Sequence, residues 1–300
     1  MSSQSVIGVD LGGTKIRAGR LDAEGNVIAR HEEPTPTDSQ EVLLRVLLAA
    51  VETVLSDEVA AIGFGVPSVV DTRSGIALGS INIPLADVAV GRVATERFGL
   101  PAAVENDANV AALAEWKRGA GRGADDLLLL TLGTGVGGGV VSGRRLFRGW
   151  AELGHIVVVA DGPPCQGNCT GRGHLESVAS GNAADRAAAQ LWGEGATAEQ
   201  LVDRAEDGDE AAIAALTTMG RLLGAGIGSL VNAFGAQLVI VGGGFGLAAA
   251  GFLLEPALDV ARREALVPAK GLRIVEAELG ADAGLIGAGL VAFEALGESR

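Results

Sequence analysis

Apolar residues along the chain fall into short runs that end in glycine turns and into longer stretches with helical spacing. Val6–Val9 is an apolar run that meets Asp10-Leu11-Gly12-Gly13-Thr14-Lys15, and Ile16–Leu21 resumes the alternation. Asp22–Asn26 is a turn, and Val27–His31 takes up the strand pattern again, so the spacing predicts a meander of strands joined by tight turns. Asp38 with Glu41 three residues on has the form of a capping box, and Val42–Leu55 behind it predicts a helix. Ala60–Val66 and Ala102–Val104 predict buried strands, and Ala108–Arg118 a helix; strands alternating with helices point to an α/β sheet. Glu105-Asn106-Asp107 lies where a strand hands over to a helix, which is where polar side chains of open α/β sheets face a crevice.

The pattern then repeats. Leu127–Leu132 is a fully apolar strand that runs into Gly133-Thr134-Gly135-Val136-Gly137-Gly138-Gly139, and a strand follows at Val140-Val141-Ser142-Gly143. Strand, glycine turn and strand thus occur twice at an offset of about 120 residues, which reads as an internal duplication offering two turns to a shared cleft. Asn182–Trp192, Ala198–Glu206 and Glu210–Phe234 read as helices, and Gly224, Gly226 and Gly228 in the last predict close packing against another backbone. Gln237–Val241 predicts a strand meeting Gly242-Gly243-Gly244, and Ala283–Leu296 a final helix. The expected division is a smaller N-terminal α/β domain over 1–107, with the C-terminal helix at about 283–300 packing back on it, and a larger α/β domain over 108–282.

Composition narrows the class. A chain of 300 residues is long enough for two domains and buries a core without disulfide staples. Its 23 Lys and Arg against 37 Asp and Glu give a net charge of −14, and the densest basic stretch is Arg144-Arg145-Leu146-Phe147-Arg148. That balance argues against a nucleic-acid partner. No run reaching about 20 apolar residues is evident, so no membrane span is expected. Met1–Ser5 is polar, without the pattern of a secretory leader, and the two cysteines form no disulfide framework; these point to a cytoplasmic protein. Cys165 and Cys169 read as metal binding or as chance. The 46 glycines stand out against an average expectation of about 21.

Many of those glycines end strands. A glycine turn aims backbone N–H groups into one concavity, where they hold an anion; Thr adds a hydroxyl donor and Lys adds charge, and Gly12-Gly13-Thr14-Lys15 has all three. Asp10 just ahead would hold a hydrated Mg²⁺ rather than phosphate itself. Gly8 to Lys15 fails as a P-loop because Thr14 separates Gly13 from Lys15 and a strand comes next. Gly133-x-Gly135-x-x-Gly138 matches the dinucleotide pattern as a string but opens a strand rather than a helix.

Asp10–Lys15, Glu105-Asn106-Asp107, Leu132–Gly139, Glu152-Leu153-Gly154-His155, Cys165–Cys169, Gly173-His174-Leu175-Glu176 and Gly242-Gly243-Gly244 together resemble the ROK family of bacterial sugar kinases and repressors. The resemblance runs from Val6 to Leu296 and implies the actin-like ATPase fold, two α/β domains around a cleft. It implies ATP-dependent phosphorylation of a hexose, glucose foremost, at the 6-hydroxyl, with Asp107 as catalytic base. Asn82, Asn106, Glu152, His155 and Glu176 would bind the other hydroxyls. Gly12, Gly13, Thr14, Lys15, Gly133, Thr134 and Gly135 would meet the phosphates, and Gly242 and Gly243 the adenosine. Locally, other roles stay open: Asp107 as a helix N-cap, Asn82 and Asn106 as turn residues, Glu152 and Glu176 as solvated carboxylates. Other hexoses or N-acetylhexosamines (mannose, fructose, N-acetylglucosamine, N-acetylmannosamine) are alternative substrates, and polyphosphate an alternative donor. Family repressors carry a helix-turn-helix domain; with the first strand at residue 6 and a net charge of −14, a sugar-sensing regulator is the weaker reading. The resemblance also implies a homodimer or homotetramer.

The family's zinc pattern is one His and three Cys. This chain departs from it: the first cysteines are spaced Cys165-x₃-Cys169, and His174 replaces the last Cys. Four ligands nevertheless remain, His155, Cys165, Cys169 and His174, a set that suits tetrahedral Zn²⁺.

Overall fold

In the computed structural model, which describes residues 4–71, 74–80, 83–167, 169–266 and 271–298, Ser5–Leu11 forms strand β1 and is almost wholly buried. It pairs antiparallel with β2 (Lys15–Leu21) and parallel with β4 (Val59–Val66). With β3 (Val27–Pro34) and β7 (Ala102–Asn106) the sheet runs β3-β2-β1-β4-β7. The edge strand β3 alternates half-buried and exposed positions, while β1 and β4 are covered on both faces.

On one face, Ile7, Val9, Ile62 and Phe64 pack with Leu43, Leu47 and Val51 of α1 (Gln40–Val54) and Ala94 of α2 (Val90–Phe98). On the other, Val6, Leu21 and Ala61 meet Leu285 and Ala292 of α10 (Ala283–Glu298). That helix approaches to backbone contact: a Cβ on Gly63 would lie 1.9 Å from the Ala288 carbonyl oxygen. The cap of α1 is Ser39, whose hydroxyl accepts from Val42 N–H, one residue later than the expected Asp38. The short hairpin β5 (Val69–Asp71)–β6 (Ile76–Gly79) and helix α3 (Asp107–Arg118) complete this part of the chain.

The second sheet consists of β8 (Leu127–Leu132), β9 (Val136–Ser142), β10 (Arg145–Leu146), β11 (Leu238–Gly242) and β12 (Arg273–Glu276). Its order, β10-β9-β8-β11-β12, repeats that of the first: three antiparallel strands, then two parallel ones. The duplication read from two glycine turns is thus a duplication of topology. Helices α4 (Glu176–Ala179), α5 (Gly181–Trp192), α6 (Ala198–Glu206), α7 (Glu210–Phe234), α8 (Gly244–Ala248) and α9 (Ala250–Glu264) pack with it. Leu216, Leu223 and Ile227 of α7 share a core with Leu128, Leu130, Val239 and Val241. The expected packing against another backbone holds at Gly224, where a Cβ would fall 2.4 Å from the Ala257 carbonyl oxygen of α9, whereas Gly226 faces the Leu175 side chain.

Two compact units result: Met1–Ala114 with Asp282–Arg300, and Glu115–Ala281. The chain passes from one to the other inside α3. By length and composition, Glu210–Phe234 and Gly280–Gly297 are long and apolar enough to cross a membrane, which corrects the expectation that no such stretch exists. Both apolar faces are used within the fold, α7 against α9 and α10 against β1 and β4.

Candidate active site

In the first unit, the turn after β1 closes on itself, with Gly12 N–H donating to the Lys15 carbonyl at 2.9 Å. Thr35 braces it from both sides of its own residue: its hydroxyl donates to the Gly12 carbonyl at 2.7 Å and its N–H to the Thr14 carbonyl at 2.9 Å. Gly13, Thr14 and Lys15 are exposed. The Lys15 ammonium reaches across the hairpin to Glu32 at 2.5 Å, and Arg17 reaches the same carboxylate at 3.1 Å. Asp10, opposite Arg17 in the ladder, sits 3.7 Å from its guanidinium and close to Gly284 in the first turn of α10. Burial raises the Asp10 carboxyl to about 6, against the pull of Arg17. Arg17 was not singled out from sequence; its place opposite Asp10 follows only from the register.

Asn106 ends β7 and Asp107 begins α3. The capping work falls to Asn106, whose Oδ1 accepts from Ala108 N–H at 2.9 Å and Asn109 N–H at 3.1 Å. Its amide nitrogen donates to the Ser68 carbonyl at 3.3 Å. The Asp107 carboxylate accepts from the adjoining Ala108 N–H at 2.8 Å, within the first turn, where a helix favours negative charge. Asn82 lies outside the described residues.

In the second unit, the corresponding turn is pinned from outside. Gly133 N–H donates to the Gly135 carbonyl at 2.9 Å, and the Gly133 carbonyl accepts from Gly181 N–H, at the start of α5, at 2.7 Å. Gln166 donates to the Thr134 carbonyl at 3.4 Å and is itself held by Asn182 at 2.5 Å. Glu176 Oε2 accepts from Val136 N–H at 3.2 Å and lies so near Gly135 that a Cβ there would be 2.2 Å away. Sequence reasoning passed over Gln166 and Asn182; the signal present in the chain was Gln166 inside the Cys165–Cys169 loop.

His155, Cys165, Cys169 and His174 converge, their ligand atoms all within 4.8 Å of one another. His155 Nδ1 is 3.2 Å from His174 Nδ1 and 3.8 Å from Cys165 Sγ, and Cys169 Sγ is 3.7 Å from His174 Nδ1. The other ring nitrogen of His155 lies 3.9 Å from Glu176 Oε1, which also accepts from the Cys165 thiol at 3.3 Å. Burial pushes that thiol up to about 12, with Glu176 and Cys169 adding to the rise. A bound cation would reverse this, because it favours the thiolate. Glu176 is buried and Glu152 exposed, the latter just before the 3₁₀ turn Leu153–His155. Gly242 ends β11; Gly243, at φ +82°, presses on β8, where a Cβ would come 2.4 Å from the Leu132 carbonyl oxygen.

Two α/β units of one topology, each carrying a glycine turn between its first two strands, are the architecture of the actin-like ATPases. Within that class the chain belongs to the ROK family, whose model matches residues 6–295. It is 35% identical to a glucokinase of Streptomyces coelicolor over 96% of this chain and 97% of that one. It is 33% identical to an N-acetylmannosamine kinase of Shigella flexneri over 96% and 98%. Among solved structures, a ROK family glucokinase from Streptomyces griseus in complex with glucose and AMPPNP superposes with a TM-score of 0.83 at 35% identity, covering 97% of this chain and 99% of that one. A ROK hexokinase from Thermus thermophilus gives 0.84 at 37% identity, covering 98% and 100%.

Proposed function

We propose that the protein is a kinase that transfers the terminal phosphoryl group of ATP to the 6-hydroxyl of a hexose, glucose first among them. The observation that carries the reading is the handover from β7 to α3: Asn106 caps the helix, and a carboxylate comes next at the strand's C-terminal end, where open α/β sheets bind ligands. Asp107 takes the proton of the 6-hydroxyl as that oxygen bonds to the γ-phosphorus and the bond to the β-phosphate oxygen breaks, releasing ADP. Asn82, Asn106, Glu152, His155 and Glu176 hold the remaining hydroxyls. Asn106 offers its remaining amide N–H, since its oxygen is engaged by the helix and its other N–H by the Ser68 carbonyl.

Gly12, Gly13, Thr14, Lys15, Gly133, Thr134 and Gly135 receive the phosphates, and Gly242 and Gly243 pass the adenosine. The buried Asp10 carboxylate, costly to ionise alone, fits a hydrated Mg²⁺. That ion supplies neutralisation of phosphate charge. The two thiols and two imidazoles fit a structural Zn²⁺, which supplies a staple for a loop with little core of its own. Dependence on ATP fits a cytoplasmic protein, and assembly as a homodimer or homotetramer belongs to the same proposal.

The similarity to N-acetylmannosamine kinase favours a second reading, an N-acetylhexosamine kinase. One assay separates the two: sugar-phosphate formation from glucose, mannose, fructose, N-acetylglucosamine and N-acetylmannosamine, with ATP and then polyphosphate as donor. The highest kcat/KM is expected for glucose with ATP. A maximum at N-acetylmannosamine moves the assignment to the second reading, and no sugar phosphate formed from either donor overturns both.

A further inference from the structure

Of the chain's three tryptophans, two have work inside the fold. Trp116 is 9% exposed and donates to the Ala124 carbonyl, and the Trp192 ring carries the Arg204 guanidinium 4.3 Å from its centroid. Trp150 is 76% exposed. Leaving an indole in water forgoes a large burial gain, so its setting matters.

That setting is an anchored loop. At one end Phe147 N–H donates to the Val140 carbonyl of β9 at 2.8 Å, and the Phe147 ring folds over Gly149, where a Cβ would be 2.5 Å from the ring edge. At the other end Leu153 is 4% exposed against Gly138 of β9, and its N–H donates to the Ala151 carbonyl at 2.8 Å. Between these fixed ends the loop presents an indole and, two residues later, the exposed carboxylate of Glu152. Arg148, Gly149 and Ala151 stand between and beside them; Phe147, 44% exposed, adds one more ring, turned onto Gly149, and two rings fall short of the broad apolar patch a protein partner would cover. An apolar plate next to a carboxylate matches a pyranose, which has hydroxyls around its edge and C–H bonds across its face.

We propose that Trp150 is a specificity-determining residue, stacking its indole on the C–H face of the sugar whose hydroxyls Glu152 binds. The inference rests on the assignment of Glu152 to the sugar site. It adds an apolar recognition element to a set of residues that otherwise recognises hydroxyls alone.

The test is steady-state kinetics of Trp150→Ala, Trp150→Phe and Glu152→Ala, with tryptophan fluorescence during glucose titration and molar mass by light scattering. W150A is expected to raise the glucose KM about fivefold, with kcat and the ATP KM within about twofold of wild type. W150F, which keeps a ring to stack, is expected to stay within about twofold in glucose KM, while abolishing the glucose-dependent fluorescence change of the wild type. If E152A weakens sugar binding and W150A does not, the stacking assignment is overturned and the sugar site stands. If neither variant changes the sugar KM, both fall. A change of molar mass in W150A with glucose KM unchanged also overturns the proposal, placing the indole in a contact between subunits.

Discussion

The two sheets share one strand order and end their first hairpins in a glycine turn at the same place, yet the two turns are held by different means. The turn at Gly12–Thr14 is closed by its own hairpin and by one threonine from the end of β3. The turn at Gly133–Gly135 is held by residues from far along the chain: Gln166, Glu176 and the start of α5. The cause lies in the segment after the third strand of each unit. The first unit goes directly into helix α1, whereas the second first lays down the loop that carries the Cys and His cluster. Topology therefore sets where a turn lies, and the segment inserted after the third strand sets what it responds to. In the second unit Glu176 touches both the turn and the cluster, accepting from Val136 N–H with one oxygen and from the Cys165 thiol with the other.

The largest effect expected is on chemistry. Asp107→Asn should lower kcat about a thousandfold in an ADP-release assay, with Tm and glucose KM near wild type because Asn106 still caps α3. A kcat near wild type would remove Asp107 from the role of base.

The next sharpens the contrast between the turns. Purified protein should contain about one Zn per chain by elemental analysis. Stripping it with a chelator, or replacing Cys165 and Cys169 with Ser, should speed amide exchange at Val136, which is bonded to Glu176, and leave Gly12 unchanged. Equal acceleration at both turns would erase the contrast between them, and protein that is active, undialysed and zinc-free would refute the metal assignment.

The smallest concerns the first unit alone. Because Asp10 is raised in the folded state to about 6 from an ordinary 3.8, the folded protein binds more protons there than the unfolded chain does. Its contribution to stability is therefore full below about pH 4 and is lost as pH rises through about 6. Asp10→Asn should flatten that decline in urea midpoints measured from pH 4 to 7. A wild-type minus variant difference that does not change with pH would show that the carboxyl is not raised.

Much of the fold was legible in the residues because local signals and tertiary ones agree. Helix α7 was read with its observed bounds, and two of the glycines named in it, Gly224 and Gly228, mark its contact with α9. Where the signals conflict, the reading failed. Helix α9 contains Pro256, which ordinarily ends a helix, and it comes after a glycine run, so nothing local announced it. Helix α2 starts at Val90 behind Ala89, which offers no side-chain cap, and its Arg and Glu residues blur its apolar face. Glu115, in a helix read from the sequence but not singled out there, is 0% exposed and accepts from the N–H groups of Ala120, Glu278 and Leu279. Only the fold brings residues 278–279 to it. At the site, residue types were readable and partners were not: the identities of His155, Cys165, Cys169 and His174 stood in the sequence, but the contact of Glu176 with both Cys165 and Val136 required coordinates.

The packing of α10 on the first sheet has a consequence for the order of synthesis. Strands β1, β2 and β4 are made early, but the helix that covers their second face is made only after all of Glu115–Ala281. On the ribosome, the second unit is a continuous stretch that can fold as soon as it emerges, while the first waits with Val6, Leu21 and Ala61 uncovered. The sheet translated first is the last to be completed, and during that interval its bare face is the segment most in need of a chaperone.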